Sequence, residues 1–516
     1  MEVLTARFID VEPAREPVDT SGNLVWLLAV AAFVAAAFLS VHAVNPSVAD
    51  VAANNDFAAY YCAGTVARAG GDPYASLPLE RCSGGAGNPA PLPPYAVALF
   101  SLASVPGWLP RYRIGQPYRI AVIDWEFILL FAVLATVWAT WRTSGYPLYA
   151  VAAAVVGTDL VAGLTFGQIS ILTALGVALT AYFLQRNQHA AAAGVSALAL
   201  VQPLIGVPLV LSLLLWSRGR WVVLGMLAAL GLLAYLVVGP HASLEYAQRA
   251  LPTYAASETP LRYQYGLTWF AYFFRLDEGR ALVLGVAQYW LTVLVAVSIA
   301  PLVARRFNSP AMLAALPAAA AVFGGPSVHL SDLASAVPLA ALVAGSRLQL
   351  AGLGRAALVL LAVPWIALST VEQAIVGGIA GAIAGFYALG DRPLRVRAIA
   401  GAAVLVTTLI YPRMLAALPN ASVRPPPMPL TFAARRYDPA LAATQHGLAL
   451  RSQSDVTATT WETLALKLPD WAGLALLYAA GLAALPLGRR SPSPGRPVAF
   501  PGFPVLNEEN YSLITR

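Results

Sequence analysis

Residues Arg119–Trp141 read RIAVIDWEFILLFAVLATVWATW. Beyond Arg119 at its edge and Asp124 and Glu126 near its start, the stretch is apolar for the length an α-helix needs to cross the bilayer core, roughly twenty residues. It has many counterparts. Candidate spans of the same kind lie at 24–44, 146–164, 168–184, 190–216, 221–239, 282–303, 310–325, 332–346, 353–370, 373–390, 397–415 and 470–487. The 516 residues are 59% hydrophobic and 11% charged, with a mean hydropathy of +0.67. Soluble domains are about one-quarter charged, so an ordinary globular protein is excluded. A membrane barrel would show short alternating segments instead. The expected fold is an all-α polytopic membrane protein of about 12–14 transmembrane helices.

The segment 190–216 contains Gln202-Pro203 and Gly206-Val207-Pro208. Proline removes a backbone donor and clashes with the preceding turn, so one straight helix is excluded. A helical hairpin that returns to its starting side is expected, with its broken backbone at membrane depth surrounded by protein or a wet cavity. The first span, about 24–44, exceeds a signal-peptide core and follows a stretch carrying both signs of charge, so it is read as a retained helix.

Short loops carry the arginines: Arg142, Arg186, Arg218 and Arg220, Arg305 and Arg306, Arg347, Arg392, Arg395 and Arg397, and Arg489 and Arg490. The positive-inside rule then sets the N-terminus in the cytoplasm. On that reading 1–23 is a cytoplasmic tail and 24–415 the transmembrane core. The long loops 45–118, 240–281 and 416–469 lie outside, 470–487 is the last span, and 488–516 is a disordered cytoplasmic tail. Within the first loop, Tyr95–Pro110 follows Pro93-Pro94 and is short for a span, which predicts a juxtamembrane helix at the interface. The net charge of +7 comes from scattered arginines and is no nucleic-acid footprint. The only lysine is Lys467, and the two cysteines are Cys62 and Cys82, in one loop. A disulfide between them and a pair of unpaired thiols are both open, since spacing alone cannot fix geometry.

There is no Walker A loop, HExxH, paired CxxC or GxSxG, which argues against ATP-driven transport by this chain alone. Polar residues gather instead near one end of the spans. Asp56 sits in Asn54-Asn55-Asp56-Phe57-Ala58-Ala59-Tyr60-Tyr61-Cys62-Ala63-Gly64. Asp124, Glu126 and Asp159 lie in the second and third spans, Gln168 follows in Phe166-Gly167-Gln168, Gln202 marks the hairpin break, and His329 and Asp332 close the series. Ionisable groups at membrane depth are costly and are functional candidates. Asp72, in Gly70-Gly71-Asp72-Pro73-Tyr74, reads as a turn residue.

Asp56-Phe57 with Tyr60-Tyr61 and Ala63-Gly64, Gly71-Asp72-Pro73-Tyr74, Pro93-Pro94-Tyr95, Gly167-Gln168, Ala193-Gly194 before Gln202-Pro203, and His329 to Leu333 form an ordered series. It resembles the bacterial polyprenyl-phosphate-dependent glycosyltransferases of family 87, which have the GT-C fold and include mycobacterial alpha-1,2-mannosyltransferases. The resemblance covers roughly residues 50–345. It implies transfer of a sugar, mannose favoured and arabinofuranose the alternative, from a polyprenyl-phosphate donor to a lipid or glycan hydroxyl on the outer face of a bacterial plasma membrane. Asp56 would be the general base of an inverting transfer. Asn55, Tyr60, Tyr61 and Gln168 would contact sugars, His329 and Asp332 would serve the donor or acceptor, and Arg262 would clamp phosphate. No cofactor or metal is expected. The chain departs from the family at Gln202, where members often have Lys; a cation there serves a donor phosphate or a structural pair. The segment 416–469 has no counterpart in the resemblance and is a candidate docking element for an envelope-assembly partner. A secondary transporter or a flippase of lipid-linked glycans is the competing reading, because broken helices and intramembrane acids also mark transport sites. A non-catalytic subunit of an envelope-assembly complex is a third.

Overall fold

The computed structural model describes residues 55–75, 92–103, 117–160, 163–164, 167–252, 276–363, 370–389, 392–403 and 461–485, with 266, 268, 270, 271 and 274. The described chain is helical throughout. Helix α1 (Asn55–Arg68) and α2 (Pro94–Ala103) come first, followed by α3 (Pro117–Ser144) and α4 (Leu148–Val155), which runs into a π turn over Val156–Leu160. Then come α5 (Ser170–Gln185), α6 (His189–Ala199), α7 (Pro203–Trp216), α8 (Arg220–Val237) and the short α9 (Pro240–Glu245). The second half comprises α10 (Glu278–Phe307), α11 (Met312–Gly324), a 3-10 turn over Leu330–Ala336, α12 (Val337–Ala344), α13 (Ala351–Leu361), α14 (Thr370–Ala388) and α15 (Trp461–Ala483).

Three described helices are long and apolar enough to cross a membrane: Ala121–Ser144 within α3, Arg220–Val237, and Gly279–Phe307 within α10. Helix α8 shows which solvent it expects. Trp221, Leu232, Tyr235 and Leu236 are exposed, and only Val223 and Ala234 along it are buried. An apolar helix turned outward in this way faces lipid. Helix α11 is the opposite case, buried nearly all round, and it packs on α5, α7, α10 and α15. Its alanines, Ala314, Ala315 and Ala318–Ala321, let these neighbours approach closely where lipid removes the usual hydrophobic drive.

The expected hairpin is present. Helix α6 ends at Ala199, Gln202 is extended, and Pro203 opens α7. His189 Nδ1 lies 3.0 Å from Ser217 Oγ, so the two ends of the hairpin away from its apex meet. Each proline or break frees a carbonyl that must find a donor. Tyr95 Oη donates to Leu200 O at 2.6 Å at the apex. Pro208 cannot donate to Leu204 O, and Tyr289 Oη does so instead at 2.7 Å. Pro301 likewise leaves Val297 O to the indole N–H of Trp216 at 2.9 Å. The sequence predicts the breaks; side chains distant in sequence repair them.

Three expectations change. Asp56 lies in the first turn of α1, an ordered helix, and not in a loop. Helix α2 forms where a juxtamembrane helix is expected, but Ala96, Val97, Ala98 and Phe100 are buried in the bundle. The last described helix, α15, begins at Trp461, ahead of the span expected from 470, and carries Lys467 and Asp470 within it, both buried at 0% and 1% exposure. The residues 1–54, 404–460 and 486–516, and with them the first span, the docking-element reading of 416–469 and the tail, lie outside those described.

Candidate active site

The site is built from four irregularities at one end of the bundle: the start of α1, the turn before α5, the hairpin apex and the 3-10 turn after α11. Asp56 stands in the first turn of α1, half-buried, where the helix dipole favours a negative charge. The next residue, Phe57, stacks on Trp125 of α3 with centroids 5.2 Å apart and planes inclined by 16°. Phe100 of α2 packs against both rings, at 6.4 Å from Phe57 and 5.1 Å from Trp125. Helix α2 comes this near because Gly64 has no side chain. A Cβ there would sit 2.6 Å from the Phe100 carbonyl carbon.

Trp125 also reaches the second irregularity. Its indole N–H donates to Gly167 O at 2.9 Å, in a buried bond. Gly167 has φ +70°, the left-handed region that glycine adopts without penalty, and it turns the chain so that Gln168 faces the 3-10 turn. There Ser331 Oγ hydrogen-bonds Gln168 Oε1.

His329 caps the 3-10 turn in an extended conformation. Asp332, 3% exposed, is engaged on both oxygens. Oδ2 accepts the His329 backbone N–H at 2.9 Å, and Oδ1 accepts from Gln202 Nε2 at 2.9 Å. The imidazole Nδ1 is 3.8 Å from Oδ2, too far for a hydrogen bond and near enough for charge. The His329 ring remains partly accessible, at 21%. A carboxylate only accepts, so Gln202 must present its NH2 to Asp332 and its oxygen elsewhere. That oxygen is buried with no hydrogen-bond partner among the described residues. The π turn that bears Asp159 packs on this same 3-10 turn.

Phe57, the neighbour of Asp56, is thus linked through Trp125 to the turn of Gln168, and Gln168, Gln202, His329 and Asp332 meet at the 3-10 turn. Two candidates take a different place. Tyr60 is buried at 6% against Phe100, with ring centroids 5.4 Å apart. Asp332 is buried with both oxygens engaged, to the Gln202 amide and the His329 backbone. Tyr61 is half-buried beside Phe57, Asn55 opens α1, and Arg262 lies outside the described residues. Asp72 accepts from the Tyr74 backbone N–H at 2.9 Å, as its turn reading requires. Cys62 stands in a disulfide; Cys82, the only other cysteine of the chain, lies outside the described residues. Trp125 and Tyr95 are the residues that sequence reasoning passed over in the site itself. An aromatic flanked by two acids in an apolar span is the signal that marks Trp125.

A lipid-facing helical bundle with a buried polar network at one end defines the class: an all-α polytopic membrane protein. Residues 93–331, a little under half of the chain, match the model of glycosyltransferase family 87. The match takes in Trp125, Gln168, Gln202 and His329; Asp56 and Asp332 fall outside it. A comparison with curated proteins found no match. Among solved structures, the crystal structure of ArnT from Cupriavidus metallidurans bound to undecaprenyl phosphate is similar at 14% identity, covering 90% of this chain and 78% of that one. Its TM-score of 0.31 gives that likeness no weight for the site.

Proposed function

We propose that this membrane glycosyltransferase moves a sugar from a polyprenyl-phosphate donor to a lipid or glycan hydroxyl, with Asp56 as general base. The observation that carries the reading is the unbroken contact path from Phe57, beside Asp56, through Trp125, Gly167 and Gln168 to the Ser331–Asp332–Gln202 cluster. A carboxylate at a helix start is common. One at the start of a helix tied by these contacts to the turn of Gln168, in a chain whose residues 93–331 match a glycosyltransferase family, supports a reaction centre there.

In the reaction the acceptor oxygen attacks the anomeric carbon as the bond from that carbon to the donor phosphate breaks. Asp56 takes the acceptor proton, and polyprenyl phosphate leaves. A single base suffices for an inverting transfer. His329, partly accessible and set by Asp332, is placed to stabilise the leaving phosphate. Gln202 supports the site as a structural partner of Asp332, and its orphan amide oxygen suits a sugar hydroxyl or a bound water. Arg262 is the candidate phosphate clamp. The lipid tail of such a donor stays among the apolar helices while its head reaches the polar network. The arginine distribution supports an active site on the outer side of a bacterial plasma membrane. Mannose is the favoured sugar, and arabinofuranose the alternative.

The test is direct. Purified protein in nanodiscs is incubated with radiolabelled polyprenyl-phosphate mannose or arabinofuranose and a membrane-lipid extract as acceptor. Label moving to an acceptor, and lost with Asp56→Asn, supports the reading; no transfer from either donor overturns it.

A further inference from the structure

Trp125 carries no ionisable group and is buried at 7%, yet it touches both halves of the site. Its ring lies flat on Phe57, the neighbour of Asp56, and its indole N–H holds Gly167 O, the neighbour of Gln168. These contacts join α1 to the turn before α5, two segments with no covalent route shorter than the whole of α2, α3 and α4. Trp125 is 7% exposed, so the N–H cannot exchange Gly167 for water. Gly167, with φ +70°, sits where the backbone reverses, so a shift of its carbonyl moves the following residue directly.

We propose that Trp125 is a positioning residue of the transfer reaction, fixing the distance between the Asp56 base and the side of the site where Gln168 and Ser331 meet. The inference rests on the glycosyltransferase reading above. The stack and the hydrogen bond have separable roles. The stack sets the height of α1 and the bond sets the position of the Gly167 turn. Both must hold for a base to meet an acceptor hydroxyl, because displacement of a reacting group by about 1 Å can cost on the order of a hundredfold in rate.

Trp125→Phe keeps an aromatic ring against Phe57 and removes the N–H; Phe57→Leu does the reverse. Both are assayed in nanodiscs, with turnover expressed per molecule of bound donor so that misfolded protein does not count. The expected result for each is a fall in kcat of about ten- to a hundredfold with the donor KM unchanged. The Trp125→Phe/Phe57→Leu double variant should lose no more than the product of the two single losses, because both act on the placement of the same two segments. Unchanged kcat per bound donor in either folded variant overturns the inference, as does a raised donor KM with kcat unchanged. If Trp125→Phe does not fold, Phe57→Leu decides alone, and a normal kcat there is equally fatal. Failure of the wild-type protein to transfer at all would be a failure of the functional reading, and is seen in the same experiment.

Discussion

Gln202 Nε2 and Asp332 Oδ1 lie 2.9 Å apart although 130 residues separate them in the chain. This bond joins the hairpin apex to the 3-10 turn, and it explains what an amide does at that position. It neutralises nothing and holds one oxygen of a carboxylate whose other oxygen fixes the His329 backbone. Asp332→Ala should therefore leave two buried donors unsatisfied, the Gln202 amide and the His329 N–H. Each such loss costs about 1–3 kcal/mol, so the unfolding midpoint in detergent should fall by several degrees, and transfer should fall with it. Asp332→Ala with wild-type stability would show the network to be incidental.

Replacing Asp56 with Asn keeps size and removes the carboxylate proposed as base. Transfer should be lost, while the donor still binds and the thermal midpoint stays near that of the wild type. Equilibrium binding of labelled donor beside the turnover assay checks both halves. Near-normal turnover in purified Asp56→Asn protein would remove Asp56 from the mechanism.

Gly64 is required by a contact rather than by a turn. A Cβ there would meet the Phe100 backbone at 2.6 Å, and backbone cannot yield as a side-chain end can. Gly64→Ala should push α1 off α2, destabilise the protein by about 1–3 kcal/mol, and lower transfer by moving Asp56 and Phe57. Melting curves and turnover, measured on one preparation, test the two effects together.

Tyr60 gives the contrasting prediction. Its ring is core, packed on Phe100, so Tyr60→Ala should destabilise the fold by about 3–5 kcal/mol, as large aromatic truncations do. Tyr60→Phe should leave the donor KM as it was. A raised donor KM in Tyr60→Phe would return the residue to the sugar site.

The disulfide at Cys62 yields a chemical readout. The chain has two cysteines and Cys62 is bonded. Alkylation without reduction should leave the protein unlabelled, while reduction first should add two labels to each chain. One label without reduction would contradict the bond.

Much of this architecture is legible along the chain, because lipid imposes a one-dimensional rule. A helix in the bilayer must be apolar for its full length, so Arg119–Trp141 shows itself as a span without reference to anything else. Prolines at 203 and 208 declare the hairpin for an equally local reason. The motif Gly167-Gln168 is visible in the sequence, and so is the pair His329 and Asp332. Their assembly is not. That Pro208 leaves a carbonyl free is readable; that Tyr289 fills it is not. Tyr60 and Tyr61 are adjacent and chemically alike in the sequence, yet packing buries the first in the core and leaves the second half-buried.

The sequence by itself determined that this is an all-α membrane protein with a broken helical hairpin and a carboxylate, two amides and a histidine gathered toward one end. Helix length, hydropathy and proline are properties of short segments, so they need no tertiary partner. Only the tertiary structure decided which of those groups meet: that Asp332 is buried with both oxygens engaged, that Gln202 donates to it, and that Trp125 ties α1 to the Gly167 turn. Those assignments depend on hydrogen bonds and ring contacts across tens to more than a hundred residues. Such contacts form only when the helices have packed, and their geometry leaves no periodic trace in the chain.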